Sequence, residues 1–108
     1  MMNTNIAHTV FFKLRFAPQS AEAETFLHSS ASTLTEIPNV LHFQVLKQQS
    51  GKNPYDYGFY MEFANQADYD SYNVHPVHVQ YVEEVWKRDV TDFQEIDYTV
   101  IAAPGSSR

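Results

Sequence analysis

Between residues 7 and 15 apolar and polar side chains alternate, so that His8, Val10, Phe12 and Leu14 fall on one face. Successive strand residues point to opposite sides, and this run predicts a first β-strand, ended by Ala17-Pro18. From Ser20 to Leu34 the spacing changes, with Ala23, Phe26, Leu27, Ser30, Ala31 and Leu34 following the i, i+3, i+4 rule of an amphipathic helix. Glu22 and Glu24 stand near its start, where negative charge suits the helix dipole. Ile37-Pro38-Asn39 predicts a turn, because a proline disfavours helical geometry in the residue before it.

Alternation returns over 41–48, with Leu41, Phe43 and Val45 together. After the polar loop 49–54 it returns again over 57–63, with Tyr57, Phe59, Met61 and Phe63 together. Asn65, followed three residues later by Asp68, marks a helix start. The helical segment runs to about Val74, breaks at His75-Pro76 and resumes to about Val90, with Val77, Tyr81, Val82, Val85 and Trp86 at helical spacing. Residues 93–101 predict the last strand, and 104–108 a frayed tail.

The order βαββαβ in 108 residues is that of one α+β domain of ferredoxin-like topology, with an ordered core over about 7–101. It implies a four-stranded antiparallel sheet with both helices on one face. The uncovered face of such a sheet is polar in a monomer. Here Phe11 stands opposite Val10 and Phe12, Tyr60 opposite Phe59 and Met61, and the last strand has Phe93 and Ile101 on one side with Ile96, Tyr98 and Val100 on the other. An uncovered face with these residues exceeds the few hundred Å² of apolar patch a monomer ordinarily exposes, so a homodimer is expected.

Composition narrows the function. A net charge of −6, with seven scattered Lys and Arg residues, argues against nucleic-acid binding. With no cysteine, disulfides, thiolate metal sites and cysteine nucleophiles are excluded. No apolar run approaches the ~20 residues that span a bilayer, and residues 1–5 lack a signal-peptide pattern, so no membrane partner and a cytoplasmic location are expected. Three glycines leave no room for a phosphate-binding loop. The spacing of His75 and His78 is poor for zinc, and neither a metal nor a cofactor is expected.

Several stretches together resemble the stress-responsive dimeric α/β-barrel (Dabb) family. They are residues 8–15, Ile37-Pro38-Asn39-Val40, Tyr55-Asp56-Tyr57-Gly58, Met61-Glu62-Phe63, the block from Tyr72 through His75-Pro76-Val77-His78 to Val79, and Asp97-Tyr98. The resemblance implies a ferredoxin-like protomer whose sheet pairs with that of a second copy to form a dimeric α/β barrel. Many members have no assigned activity. A plant member, olivetolic acid cyclase, closes a polyketide chain by an intramolecular aldol condensation. Its catalytic pair matches Tyr72 and His78, and a pocket histidine matches His8. A further pocket histidine on its third strand is replaced here by Tyr57, so the same substrate is not implied.

Read from the residues alone, His8 is either a core histidine satisfied by one hydrogen bond or a group facing a pocket. Tyr72, His75 and His78 are i, i+3 neighbours. A turn at Pro76 can bring Tyr72 to His78, which an uninterrupted helix would keep apart. A neutral imidazole can remove a proton beside a carbonyl, and a phenol can donate to the oxygen that becomes negative. The expectation is a dimer whose apolar pocket binds a small apolar or phenolic molecule, with His8, His75 and Tyr57 as binding residues. The alternative is a cofactor-independent cyclase or lyase with His78 as base and Tyr72 as donor. A third reading, an oxygenase of similar architecture, rests on fold analogy alone.

Overall fold

The computed structural model describes residues 5–102 and 104; the tail expected over 104–108 and the N-terminal residues 1–4 otherwise lie outside the described residues. Strands β1 (Ile6–Leu14), β2 (Leu41–Lys47), β3 (Tyr57–Phe63) and β4 (Val90–Thr99) form one antiparallel sheet in the order β2-β3-β1-β4. Helices α1 (Ala21–Leu34), α2 (Gln66–Val74) and α3 (Pro76–Tyr81) pack on one face. The chain continues from α3 through a π-helical turn (Val82–Trp86) and one further helical turn (Lys87–Asp89) directly into β4.

The caps expected from the sequence form. The Ser20 hydroxyl accepts from the Ala23 amide, and the Asn65 side chain accepts from that of Asp68. Such contacts satisfy amides that have no partner inside the helix. At the break, His75 holds the extended geometry that a following proline demands, and Pro76 occupies the first turn of α3. The second helical stretch is therefore not one regular helix to Val90: a π-helical turn, invisible to a fixed spacing rule, interrupts it.

The core lies between the helices and the alternating face of β1 and β3. Phe12 is wholly buried, with its ring 4.8 Å from Phe59, 5.1 Å from Trp86 and 5.8 Å from Phe26 between centroids. The register sets Phe12 beside Tyr57, Val10 beside Phe59 and His8 beside Met61. On the other side, β4 sets Phe93, Glu95 and Asp97 beside Phe12, Val10 and His8. A bulge between Lys13 and Leu14 shifts the β1–β4 register, so β4 begins at Val90 rather than at the expected Phe93. Just before it, the buried Asp89 carboxylate accepts from Arg15 Nε at 2.9 Å and from Arg88 at 2.9 and 3.0 Å. Arg88 above all, then Arg15, holds this carboxyl below its ordinary value, offsetting the cost of its burial.

The outer face of the sheet is divided. Toward β1 and β4 it carries Phe11, Ile96 and Tyr98; toward β2 and β3 it is mixed, with Leu41 and Leu46 of β2 beside the polar Tyr60 and Glu62. There Glu62 accepts from the Tyr60 hydroxyl at 2.6 Å and lies 3.0 Å from His42 Nδ1. Tyr60, through this bond first, is pushed up to about 12, so it remains a donor at neutral pH. Gly58 serves the apolar half: a Cβ there would lie 2.9 Å from the Phe11 ring and 3.3 Å from the Val10 carbonyl. Gly58→Val is expected to destabilise the protein by about 1–3 kcal/mol in urea unfolding, as overpacking does. In combination with Phe11→Ala its effect should be less than additive, since both changes act on one contact; strict additivity would refute that contact.

Candidate functional site

Between the sheet and the α3–π-turn segment lies a cavity of about 320 Å³. Its walls are mostly apolar and aromatic: Val10, Phe59, Met61, Tyr72, Tyr81, Val82, Trp86 and Phe93, with Leu34 from α1. Polar groups enter it from His8, His78, Glu95 and Lys87. The break at Pro76 and the π-turn set these residues, because they decide which side chains of the second helical stretch face the sheet. Tyr81 is fixed by a hydrogen bond from its hydroxyl to Ser30 on α1, 2.7 Å long and buried.

His8 is 4% exposed and takes three acidic or phenolic neighbours. Its Nδ1 lies 2.5 Å from Asp97 Oδ1 and 3.1 Å from the Tyr69 hydroxyl, which donates to Asp97 Oδ2 at 2.7 Å. Asp97 accepts the Nδ1 proton, which leaves Nε2 on the other side of the ring, 3.8 Å from Glu95. Burial, then the hydrogen bond to Asp97, raises Tyr69 far above its ordinary value, so it remains a donor.

Tyr72 and His78 meet across the break. Their ring centroids are 4.4 Å apart, and Tyr72 also packs 6.1 Å from His8 and 5.0 Å from Phe63. His78 Nδ1 lies 3.1 Å from the Asn73 carbonyl, an acceptor, so the proton sits on Nδ1 and Nε2 is left with a lone pair. Burial lowers the His78 pKa and favours this neutral form. Tyr72 is 2% exposed and its pKa is raised first by burial; no described residue hydrogen bonds its hydroxyl, which is not sealed in the core. The arrangement therefore offers one hydroxyl donor and two imidazoles around an apolar space. That set can bind a carbonyl or hydroxyl oxygen and move a proton beside it.

The other two expected binding residues, His75 and Tyr57, lie outside the lining of this cavity. His75 is absent from the cavity lining, and its Nδ1 accepts from the Val77 amide, capping α3. Tyr57 stands opposite Phe12 on β3, four residues along from the Met61 that faces His8, and its hydroxyl accepts from the Gln19 amide at 2.8 Å. Asp97, Tyr69 and Glu95 were missed. Asp97 was visible only as part of a motif, and the pairing of residues 89 apart in sequence leaves no local signal. Among the described residues no group of three His, Asp or Glu side chains is placed to hold a metal ion, and no helix is long and apolar enough to cross a membrane.

Comparison with known proteins fits this architecture. A Dabb protein with a ferredoxin-like fold from Mesorhizobium loti is 44% identical and superposes with a TM-score of 0.88, over 92% of this chain and 99% of that one. A dimeric ferredoxin-like protein of unknown function from Bacteroides fragilis is 22% identical, with a TM-score of 0.67 over 89% and 96% of the two chains. Hydroxynitrile lyase from Passiflora edulis shares the fold at 9% identity, with a TM-score of 0.80 over 94% and 98%. No protein of curated function matches the sequence. Residues 6–100 match the stress responsive A/B barrel domain, and the chain belongs to that family.

Proposed function

We propose that the chain works as a homodimer whose cavity binds a small, largely apolar molecule bearing a carbonyl or phenolic oxygen. The observation that carries this reading is the Tyr72 hydroxyl: it belongs to a buried residue lining a cavity of about 320 Å³, yet no described residue hydrogen bonds it. The hydroxyl is not sealed in the core, and a ligand oxygen entering the cavity would take the hydrogen bond that no residue makes, worth about 1–2 kcal/mol. A cavity of this size and lining matches the ordinary small-molecule site. Trp86, the single tryptophan, lines it and reports occupancy. Titration with phenols should change Trp86 fluorescence, and Tyr72→Phe should weaken binding by about 3- to 30-fold, the worth of one such hydrogen bond. Unchanged affinity in that variant would remove Tyr72 from the site.

Dimerisation is supported by the apolar half of the outer face, where Phe11, Ile96 and the half-exposed Tyr98 are gathered on β1 and β4. The Bacteroides fragilis protein of the same fold is a dimer. Light scattering should give a particle of twice 12.5 kDa. Ile96→Glu, which places a charge in the middle of that patch, should give a monomer with unchanged far-UV circular dichroism. A wild-type monomer at micromolar concentration would reject the dimer.

The pair of rings at 4.4 Å favours a second reading: cofactor-independent acid–base catalysis, with His78 Nε2 removing a proton beside a carbonyl and Tyr72 donating to the enolate oxygen. The fold relative from Passiflora edulis is a hydroxynitrile lyase, an enzyme in the same architecture. His78 must be neutral to act, and its pKa lies below the usual 6.5. The acid limb of kcat/KM should therefore fall below pH 6.5, and His78→Ala should lower kcat by about 100-fold or more with the dimer intact. The same depression makes stability fall as pH drops through about 6.5, since the unfolded chain then binds the extra proton. That pH dependence should be absent from unfolding curves of His78→Ala.

A further inference from the structure

The cavity has an asymmetry of charge that the two histidines and Tyr72 do not explain. Glu95 lies on the helix-facing side of β4, beside Val10, and lines the cavity with its carboxylate 3.8 Å from His8 Nε2. No lysine or arginine among the described residues forms an ion pair with it. The one basic side chain of the lining, Lys87, is committed to Glu83 at 2.6 Å. A single imidazole cannot balance two carboxylates: His8 turns Nδ1 to Asp97 and Nε2 to Glu95, so the pair of acids exceeds it by at least one negative charge. The polar end of an otherwise aromatic cavity is thus acceptor-rich and negative, and Trp86, Tyr72 and Phe93 line the same cavity.

From this we infer that Glu95 is a specificity-determining residue: it selects small ring-bearing ligands whose head group donates a hydrogen bond, and rejects carboxylates. This rests on the reading of the cavity as a ligand site. A hydroxyl or protonated amine entering between Glu95 and His8 donates to the carboxylate. An amine also gains attraction from the aromatic faces. A carboxylate instead meets like charge at short range; Glu95 is half exposed, so the repulsion is the screened one of a protein surface, enough for about a tenfold discrimination. Specificity arises here as much from the rejected head group as from the accepted one. The Tyr72 hydroxyl, without a protein partner, is the second polar contact for a ligand oxygen.

The test uses three ligands with one ring: cyclohexylmethanol, cyclohexylmethylamine and cyclohexanecarboxylate. Each is titrated by calorimetry and by Trp86 fluorescence into the wild type and Glu95→Gln. Glu95 is 55% exposed, so the isosteric amide leaves the fold in place. The alcohol and the amine should bind the wild type about tenfold or more tighter than the carboxylate, and Glu95→Gln should shrink that ratio to about threefold or less while the alcohol is retained. A carboxylate that binds the wild type as well as the alcohol, or a ratio that survives in Glu95→Gln, overturns the role of Glu95 and leaves the ligand site standing. If none of the three binds either protein, the ligand-site reading falls, and the inference with it.

Discussion

The geometry of the site depends on one backbone constraint, the His75-Pro76 bond. Six residues of continuous α-helix rotate a side chain by about 240° net, which would put Tyr72 and His78 on different faces. Proline forbids that continuation by holding His75 extended and removing one amide donor. His75 compensates with its own ring, accepting the Val77 amide at 3.1 Å, and α3 departs in a new direction. The last turn of α2 then faces the first turn of α3, with the Tyr72 and His78 rings in contact. His75 does its work as a cap: without it, the helix that carries His78 begins with an unsatisfied amide.

A second constraint is the placement of polar groups in an aromatic core. His8 occupies the buried face of a central strand, where an unpaired imidazole would be costly. Asp97 on the neighbouring strand and Tyr69 from α2 meet that cost on the Nδ1 side only. Tyr81 is treated in the same way by Ser30. Tyr72, equally buried, has no such partner among the described residues. Tyr81, bonded to Ser30, and Tyr72, bonded to no described residue, line one cavity, and this difference sets Tyr72 apart.

Much of the architecture was legible because local rules dominate there. The alternation of β1 and β3, the spacing of α1, and the Ser20 and Asn65 caps each report a single element without reference to the rest. The site was legible in part for the same reason: His8 shares its face with Val10 and Phe12, and Pro76 announces a break. What escaped depends on relations between distant residues. On β4 the helix-facing side reads Phe93, Glu95, Asp97, while the apolar Ile96 and Tyr98 point outward, so alternation does not reveal that two carboxylates flank His8. The register, which no local pattern shows, sets Tyr57 about 13 Å along β3 from Met61, beside Phe12. The π-turn adds a residue to one turn of helix, and no spacing rule of fixed period registers it.

The position of β4 at the sheet edge links the cavity to the proposed dimer. Its inward-pointing Phe93, Glu95 and Asp97 remain partly exposed because the helical layer does not reach fully across the edge. Its outward-pointing Ile96 and Tyr98 form the apolar half of the other face, whereas β2 and β3 carry the Tyr60–Glu62–His42 network there. A dimer built on the apolar half would grip β4 from one side while ligand contacts hold it from the other. Both contacts would then bear on one strand, already paired with β1 along its length. Through that strand, association of two copies would bear on the positions of Glu95 and Asp97 relative to His8, although the outer face contributes no side chain to the cavity.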